Sequence, residues 1–201
     1  MGVMLDIIVA SMIGAVITLI IMNANLVIGQ TWATYNGGVM VQQLLISDAQ
    51  IVEGEFRNMG CGVDSAASQK ILQALDTCIT FRMALRPDPN SEIKTVKYYS
   101  GSPSELSATE NPDDRFLYRQ ENSATPEKVG MVTRFNIKYY DFQNDTMPTP
   151  VSSSDLINIG IVEITLEVQS PYVSFVDANG VKRFASAMWK QTRLASQNLK
   201  R

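Results

Sequence analysis

The chain has 201 residues, with 17 Lys and Arg against 20 Asp and Glu, a net charge of −3 and no histidine. That acidic balance, with no Lys/Arg cluster, argues against nucleic-acid binding. The missing histidine excludes Ser-His-Asp and Cys-His catalysis and the commonest metal ligand, and no cofactor motif is present.

From Ile7 to Met22 the sequence reads IIVASMIGAVITLIIM, and after Asp6 the next formal charge is Asp48. Counted to Met22 or on to Ile28, this run spans about 24–33 Å as a helix, against a hydrocarbon core of about 30 Å. It predicts one membrane helix followed by a domain in water. A cleaved secretory signal would need a basic start and a small-x-small site; no Lys or Arg precedes Ile7, and Asn23-Ala24-Asn25 follows the run. A plain anchor fits the length, whereas a buried core helix would need a larger protein around it. Ser11, Gly14 and Thr18 recur at three- to four-residue spacing and share one face, where small residues let helices approach closely in lipid. The alternative is that such residues are ordinary in any span.

Residues 26–56 keep a helical pattern. Trp32, Tyr35, Val39, Ile46 and Phe56 are expected on one stripe, with Leu44, Leu45, Ile51 and Val52 beside it and Asp48, Glu53 and Glu55 elsewhere. Gly37-Gly38 predicts a kink or loosening. Gly60-Cys61-Gly62 is the expected helix stop. The chain thus divides into a hydrophobic, then amphipathic, helix over 1–60 and a soluble domain over 61–201. Asp64 or Ser65 is expected to cap a short helix carrying Ala67, Ile71, Leu72 and Leu75.

The period then changes to two. Ile79, Phe81, Met83 and Leu85 alternate with Thr80, Arg82, Ala84 and Arg86 in a strand, and residues 86–90 form a turn. Strands are expected at 92–99 (Val96 and Tyr98 on one face), 115–120, 129–142 (Phe135, Ile137 and Tyr139 inward), 156–169 (Val162, Ile164, Leu166 and Val168 inward) and 181–194. Polar loops fill 101–114 and 143–155, and Asp177-Ala178-Asn179-Gly180 signals a hairpin turn. The tail, 197–201, is polar. Glu105, Glu110, Asp113, Asp114, Asp141 and Asp145 in or near the loops read as solvated acids, since their spacing matches no EF-hand. Tyr98-Tyr99 and Tyr139-Tyr140 read as pleat residues. Cys61 and Cys78 are too few for a four-thiolate zinc site; outside the cytosol they can form one disulfide, and otherwise they are two unpaired thiols. The fold class is α+β: a long N-terminal helix whose second half packs on an antiparallel sheet.

Several stretches carry a family likeness. These are Gly2-Val3-Met4-Leu5-Asp6 with the apolar run and Gly14, and Ile46-Ser47-Asp48 to Glu55-Phe56-Arg57-Asn58-Met59-Gly60-Cys61. Further on come Arg115-Phe116-Leu117-Tyr118-Arg119, the strand from Val132 to Asp141, and Trp189 to Asn198. In this order they resemble the type IV pilin and type II secretion pseudopilin superfamily, most closely its J-type minor pseudopilins and related minor pilins. The resemblance implies a structural subunit, not an enzyme. It would be held in the inner membrane with a periplasmic domain and then inserted by its helix into a pilus or pseudopilus, as a minor or tip subunit or as a homopolymer subunit. It implies other pilin or pseudopilin subunits as partners, I- and K-type ones for a J-type subunit. Prepilin peptidase would cut after Gly2 and leave Val3 as the methylated N-terminus. Asp6 would pair with a neighbouring subunit's α-amino group. Asp6 stands four positions after Gly2, where the family usually has a glutamate five positions on, and no basic leader precedes Gly2. Hence the start is displaced or clipped, or processing departs from the usual. The competing expectation is a single-pass membrane protein whose outer domain binds a ligand or partner and never polymerises.

Overall fold

The computed structural model describes residues 2–64, 69–84, 92–177, 179–194 and 198–199. Its organising element is α1, a helix over Gly2–Arg57. Helical hydrogen bonding runs unbroken through Gly37-Gly38, so the expected loosening is not a break. The helix stops where foreseen. Gly60 (φ +76°) and Gly62 (φ +70°) take left-handed conformations, which a side chain disfavours. The Gly60 amide donates to the Arg82 carbonyl at 2.8 Å, and the Ala84 amide donates to the Cys61 carbonyl at 2.8 Å. The end of the helix is thereby stitched to a strand.

That strand belongs to a five-stranded antiparallel meander, β1-β2-β3-β4-β5. Its strands are β1 (Ile71–Ala74), β2 (Cys78–Ala84), β3 (Ile93–Ser100), β4 (Arg115–Glu121) and β5 (Glu127–Val132). A second, four-stranded sheet is ordered β11-β8-β6-β7, from β6 (Arg134–Asp141), β7 (Thr146–Met147), β8 (Ile159–Gln169) and β11 (Ser186–Leu194). A two-stranded hairpin, β9 (Phe175–Val176) with β10 (Lys182–Arg183), stands apart from both. All strand pairs are antiparallel.

Period-two patterning is fulfilled along β3 and β6 and on the inward faces of β2 and β8, although Ala84 and Glu163, expected on the opposite faces, are buried too. Ile79, Phe81, Val96, Tyr98, Tyr139, Val162, Ile164, Leu166 and Val168 are fully buried. They join Val41, Leu45, Ala49, Val52 and Phe56 of α1 in one core. The Phe56 ring meets Phe81 at 5.1 Å and Tyr98 at 5.4 Å. The layout, a long N-terminal helix packed by its second half on antiparallel sheets, is the α+β class the sequence predicts.

Several local expectations are corrected. The segment expected as a short helix carries β1: Ile71 pairs with Phe81 and Ala74 with Ile79, so edge pairing overrides a locally helical pattern. Ser65 and Ala67 lie outside the described residues, as do Leu85, the turn at 86–90 and most of the tail. The strand expected over 129–142 is two strands in different sheets. At Thr133 the amide (2.8 Å) and Oγ1 (3.1 Å) both donate to the Glu167 carbonyl, which carries the chain across. The expected strand 181–194 divides into β10 and β11, and 156–169 begins with a 3-10 turn over Leu156–Asn158. The loop at 143–155 contains β7, and the loop at 101–114 contains a 3-10 turn over Pro103–Leu106.

Candidate functional site: an uncovered apolar helix and its seat

Residues 2–36 of α1 are exposed throughout, and contact with the domain begins at Gly37-Gly38. About 50 Å of helix therefore projects alone. It is the one helix among the described residues that is long and apolar enough to cross a membrane, and none of its most apolar stretch is buried. The serine and threonine hydroxyls of this projecting stretch are satisfied internally. Ser11 donates to the Ile8 carbonyl, Thr18 to that of Gly14 and Thr31 to that of Val27, each at 2.8 Å. In hydrocarbon an unsatisfied hydroxyl costs free energy, and back-bonding to the helix removes that cost. A Cβ added at Gly14 meets nothing within 4 Å. The Ser11/Gly14/Thr18 face is therefore open, with no contact from the rest of the described residues. Gly2 and Val3 lie in the first turn of α1, and Asp6 is exposed one turn on.

The seat of the helix differs from the expected stripe. Val41, Leu45, Asp48, Ala49, Val52 and Phe56 are buried, a run at three- to four-residue spacing. Trp32, Tyr35, Ile46 and Ile51 are exposed (63, 67, 57 and 43%), as is Val39. Aromatic weight points to the wrong face because Trp32 and Tyr35 precede the domain altogether.

Asp48, expected outside the apolar stripe, is 3% exposed, and its Oδ2 has no hydrogen-bond partner. Its carboxylate lies against Gly130 of β5, so closely that a Cβ there would fall 2.2 Å from both oxygens. Loss of water pushes its pKa from 3.8 up to about 7. The available signal was spacing: Asp48 is three residues after Leu45 and four before Val52.

Below it, Glu55 is held by the sheet. Arg119 Nε donates to its two oxygens at 2.8 and 2.9 Å, and the Tyr98 hydroxyl donates to Oε2 at 2.6 Å. Arg119 also reaches Glu121 at 3.0 Å, and Lys94 reaches Glu121 at 2.5 Å. Burial and the Glu55 bond hold the Tyr98 hydroxyl protonated well above its ordinary range. This chain of charges joins the helix end to β4 and β3. No local pattern announces it, because its members lie far apart in sequence.

The loop acids are not uniformly solvated. Glu105 accepts from the Tyr118 hydroxyl and the Ser102 amide, Glu110 from the Val173 amide at 2.9 Å, and Asp141 from the Gln143 and Asp145 amides. Asp114 is 1% exposed with both carboxylate oxygens unpartnered, and burial raises its pKa. Among the described residues no group of three or more His, Cys, Asp or Glu is placed to hold a metal ion. Cys61 and Cys78 are free thiols, not the disulfide expected as one alternative. Cys61 is bonded beside Ala84, and Cys78 starts the same strand six residues away, about 20 Å along it and far beyond the Cα separation a bridge allows. On the outer face of the second sheet lies an open groove of about 620 Å³ lined by Asn136, Lys138, Thr165 and Gln169 among others. Its charges are partly paired, Lys190 with Glu163 at 3.1 Å and Arg134 with Glu167 at 3.7 Å.

No protein-family model matches this chain, and no curated protein or solved structure matches it.

Proposed function

We propose that the chain is a structural, pilin-like or pseudopilin subunit. The first half of α1 holds it in the membrane and then inserts it among neighbouring subunits of a filament, with a minor or tip position favoured. The observation that carries this reading is the exposed stretch of α1 from residue 2 to residue 36, projecting from a domain built on the second half of the same helix. A soluble fold has no use for such a surface, and lipid or other apolar helices are its natural surroundings. The small face of Ser11, Gly14 and Thr18 would be the packing contact, and Asp6 would seek a cationic partner on leaving the headgroups. The order of motifs in the sequence supports the superfamily.

The test is assembly in native cells, read by cross-linking and filament isolation. Gly14→Leu is expected to leave the domain folded, because a Cβ at that position meets no described residue within 4 Å, and to abolish incorporation. Asp6→Ala is expected to impair it. If both variants assemble like the parent, the reading is wrong. Intact mass and N-terminal sequencing test processing at Gly2-Val3. The second reading, an anchored binding protein that never polymerises, draws on the polar groove of the second sheet. Monomeric chain in the membrane, with no helix-to-helix cross-links, would favour it.

A further inference from the structure

We infer that the β9–β10 hairpin is a second membrane contact: it rests on the phospholipid headgroup layer of the bilayer that α1 crosses. The inference depends on the membrane-anchor reading of α1.

Its basis is where the hairpin hangs. A Cβ at Gly37 would lie 3.8 Å from the Ala185 methyl and 3.9 Å from Ser170 Oγ, and one at Gly60 would lie 3.4 Å from the Asn198 carbonyl. β11, which lies between these two contacts in the chain, thus runs in the same direction as α1, away from its apolar half. β8 is antiparallel to β11, so it descends toward that half and ends at Gln169. Everything between Ser170 and Ala185 reverses direction at the end of the domain nearest the apolar helix.

Backbone hydrogen bonds tie the separate β9–β10 ladder to the end of the β8–β11 ladder, across a three-residue shift in register. The Ser170 amide donates to the Ala185 carbonyl at 2.7 Å, that of Ser174 to Arg183 at 2.8 Å and that of Asp177 to Val181 at 2.9 Å. The hairpin base is fixed as well, by the Val173 amide on Glu110 and the Ala185 amide on Ser174 Oγ, both at 2.9 Å. From Ala185 back to Gly180, a segment that includes β10, the chain reaches at most about 16 Å when extended. From Gly37 back to Ile28, the end of the apolar run, the helix covers about 13–14 Å. The tip is long enough to reach the headgroup layer, which adds about 5–8 Å beyond the hydrocarbon on each side.

The hairpin's composition suits that layer. Tyr172, Phe175, Val176 and Val181 are 69, 58, 57 and 48% exposed, and Lys182 is exposed beside them, as is Arg183, whose guanidinium pairs with Asp177 at 2.7 Å. Aromatic side chains with basic neighbours are the usual interfacial anchors. On α1, Trp32 and Tyr35 are equally uncovered and sit about 6 and 10 Å beyond Ile28, at the same level. Helix and hairpin would then hold the domain at two points, fixing its tilt on the membrane.

Depth-dependent quenching tests this in the full chain, reconstituted in phosphatidylcholine–phosphatidylglycerol vesicles with lipids brominated near the headgroup or deep in the acyl chain. Three single-tryptophan chains are compared. The first keeps Trp32 and carries Trp189→Phe. The other two carry Trp32→Phe and Trp189→Phe with either Phe175→Trp or Phe142→Trp. Phe142 lies against Gly160 at the opposite end of β8. The expected result is loss of emission at position 175 comparable with that of Trp32, stronger with shallow bromine, and no loss at position 142. Trp32 quenched with position 175 unquenched overturns the hairpin contact and leaves the anchor standing, and so does a concentration-dependent blue shift without quenching, which would mean a second copy. Equal quenching at positions 142 and 175 also overturns it, since the domain would then lie flat. An unquenched Trp32 overturns the anchor and the hairpin contact together. Photoactivatable phospholipid cross-linking of the unaltered chain gives a reading independent of these variants. Adducts within 172–183 are expected, and adducts confined to α1 overturn the inference.

Discussion

Replacing Asp48 with asparagine should change the pH dependence of stability more than stability itself. The wild-type carboxyl is pushed from 3.8 to about 7 by burial. Between those values the folded chain keeps a proton that the unfolded chain has released, so stability falls as pH rises through this window. Above pH 7 both states are ionised and the full penalty is present. The gap is worth on the order of 4 kcal/mol. The substituted amide has no proton to lose and nearly the same shape as the carboxyl, and so it keeps the close approach to Gly130. The assay is urea unfolding of the detergent-solubilised full chain, followed by tryptophan emission, at intervals from pH 4 to pH 8. At pH 4 the two proteins should agree within about 1 kcal/mol, and at pH 8 Asp48→Asn should be the more stable by several kcal/mol. Other carboxyls titrate in both chains and cancel in the difference. A difference that stays constant across the range would refute the argument, because it would mean that Asp48 ionises at the same pH folded and unfolded.

Other substitutions probe the same seat. Gly130→Ala would place a methyl on the Asp48 carboxylate and should cost about 1–3 kcal/mol; in an Asp48→Ala background most of that cost should vanish, a coupling measurable by a double-mutant cycle. Gly62→Ala meets both a left-handed φ of +70° and the Ala84 methyl at 2.7 Å, and should cost about 2–4 kcal/mol. Gly54→Ala, on the open side of α1, should stabilise by up to about 1 kcal/mol; equal effects at the two glycines would contradict this account of the helix end. Arg119→Ala strands Glu55 beside Tyr98 and should cost about 2–4 kcal/mol in urea unfolding, with much of it recovered when Glu55→Leu is added.

The apolar run and its length, the glycine stop and the strands with strict alternation were legible because each follows from local covalent and hydrophobic periodicity. A helix of this hydropathy has the same requirements whatever surrounds it, and a strand such as β8 shows its buried face in every second residue. The segments that failed were those whose state is set by a distant partner. Ile71–Ala74 is a strand because β2 offers an edge to pair with. Thr133 divides one apparent strand into two because the Glu167 carbonyl takes both of its donors. Asp48 is buried because Gly130 has no side chain to hold it out. The sequence by itself therefore determined that this chain has an N-terminal helix long and apolar enough to cross a membrane, followed by an antiparallel domain. The tertiary structure alone decided which face of the helix seats in the domain, which acids lose water, and that the β9–β10 hairpin hangs at the end of the domain nearest the apolar helix, since those depend on residues brought together across the fold.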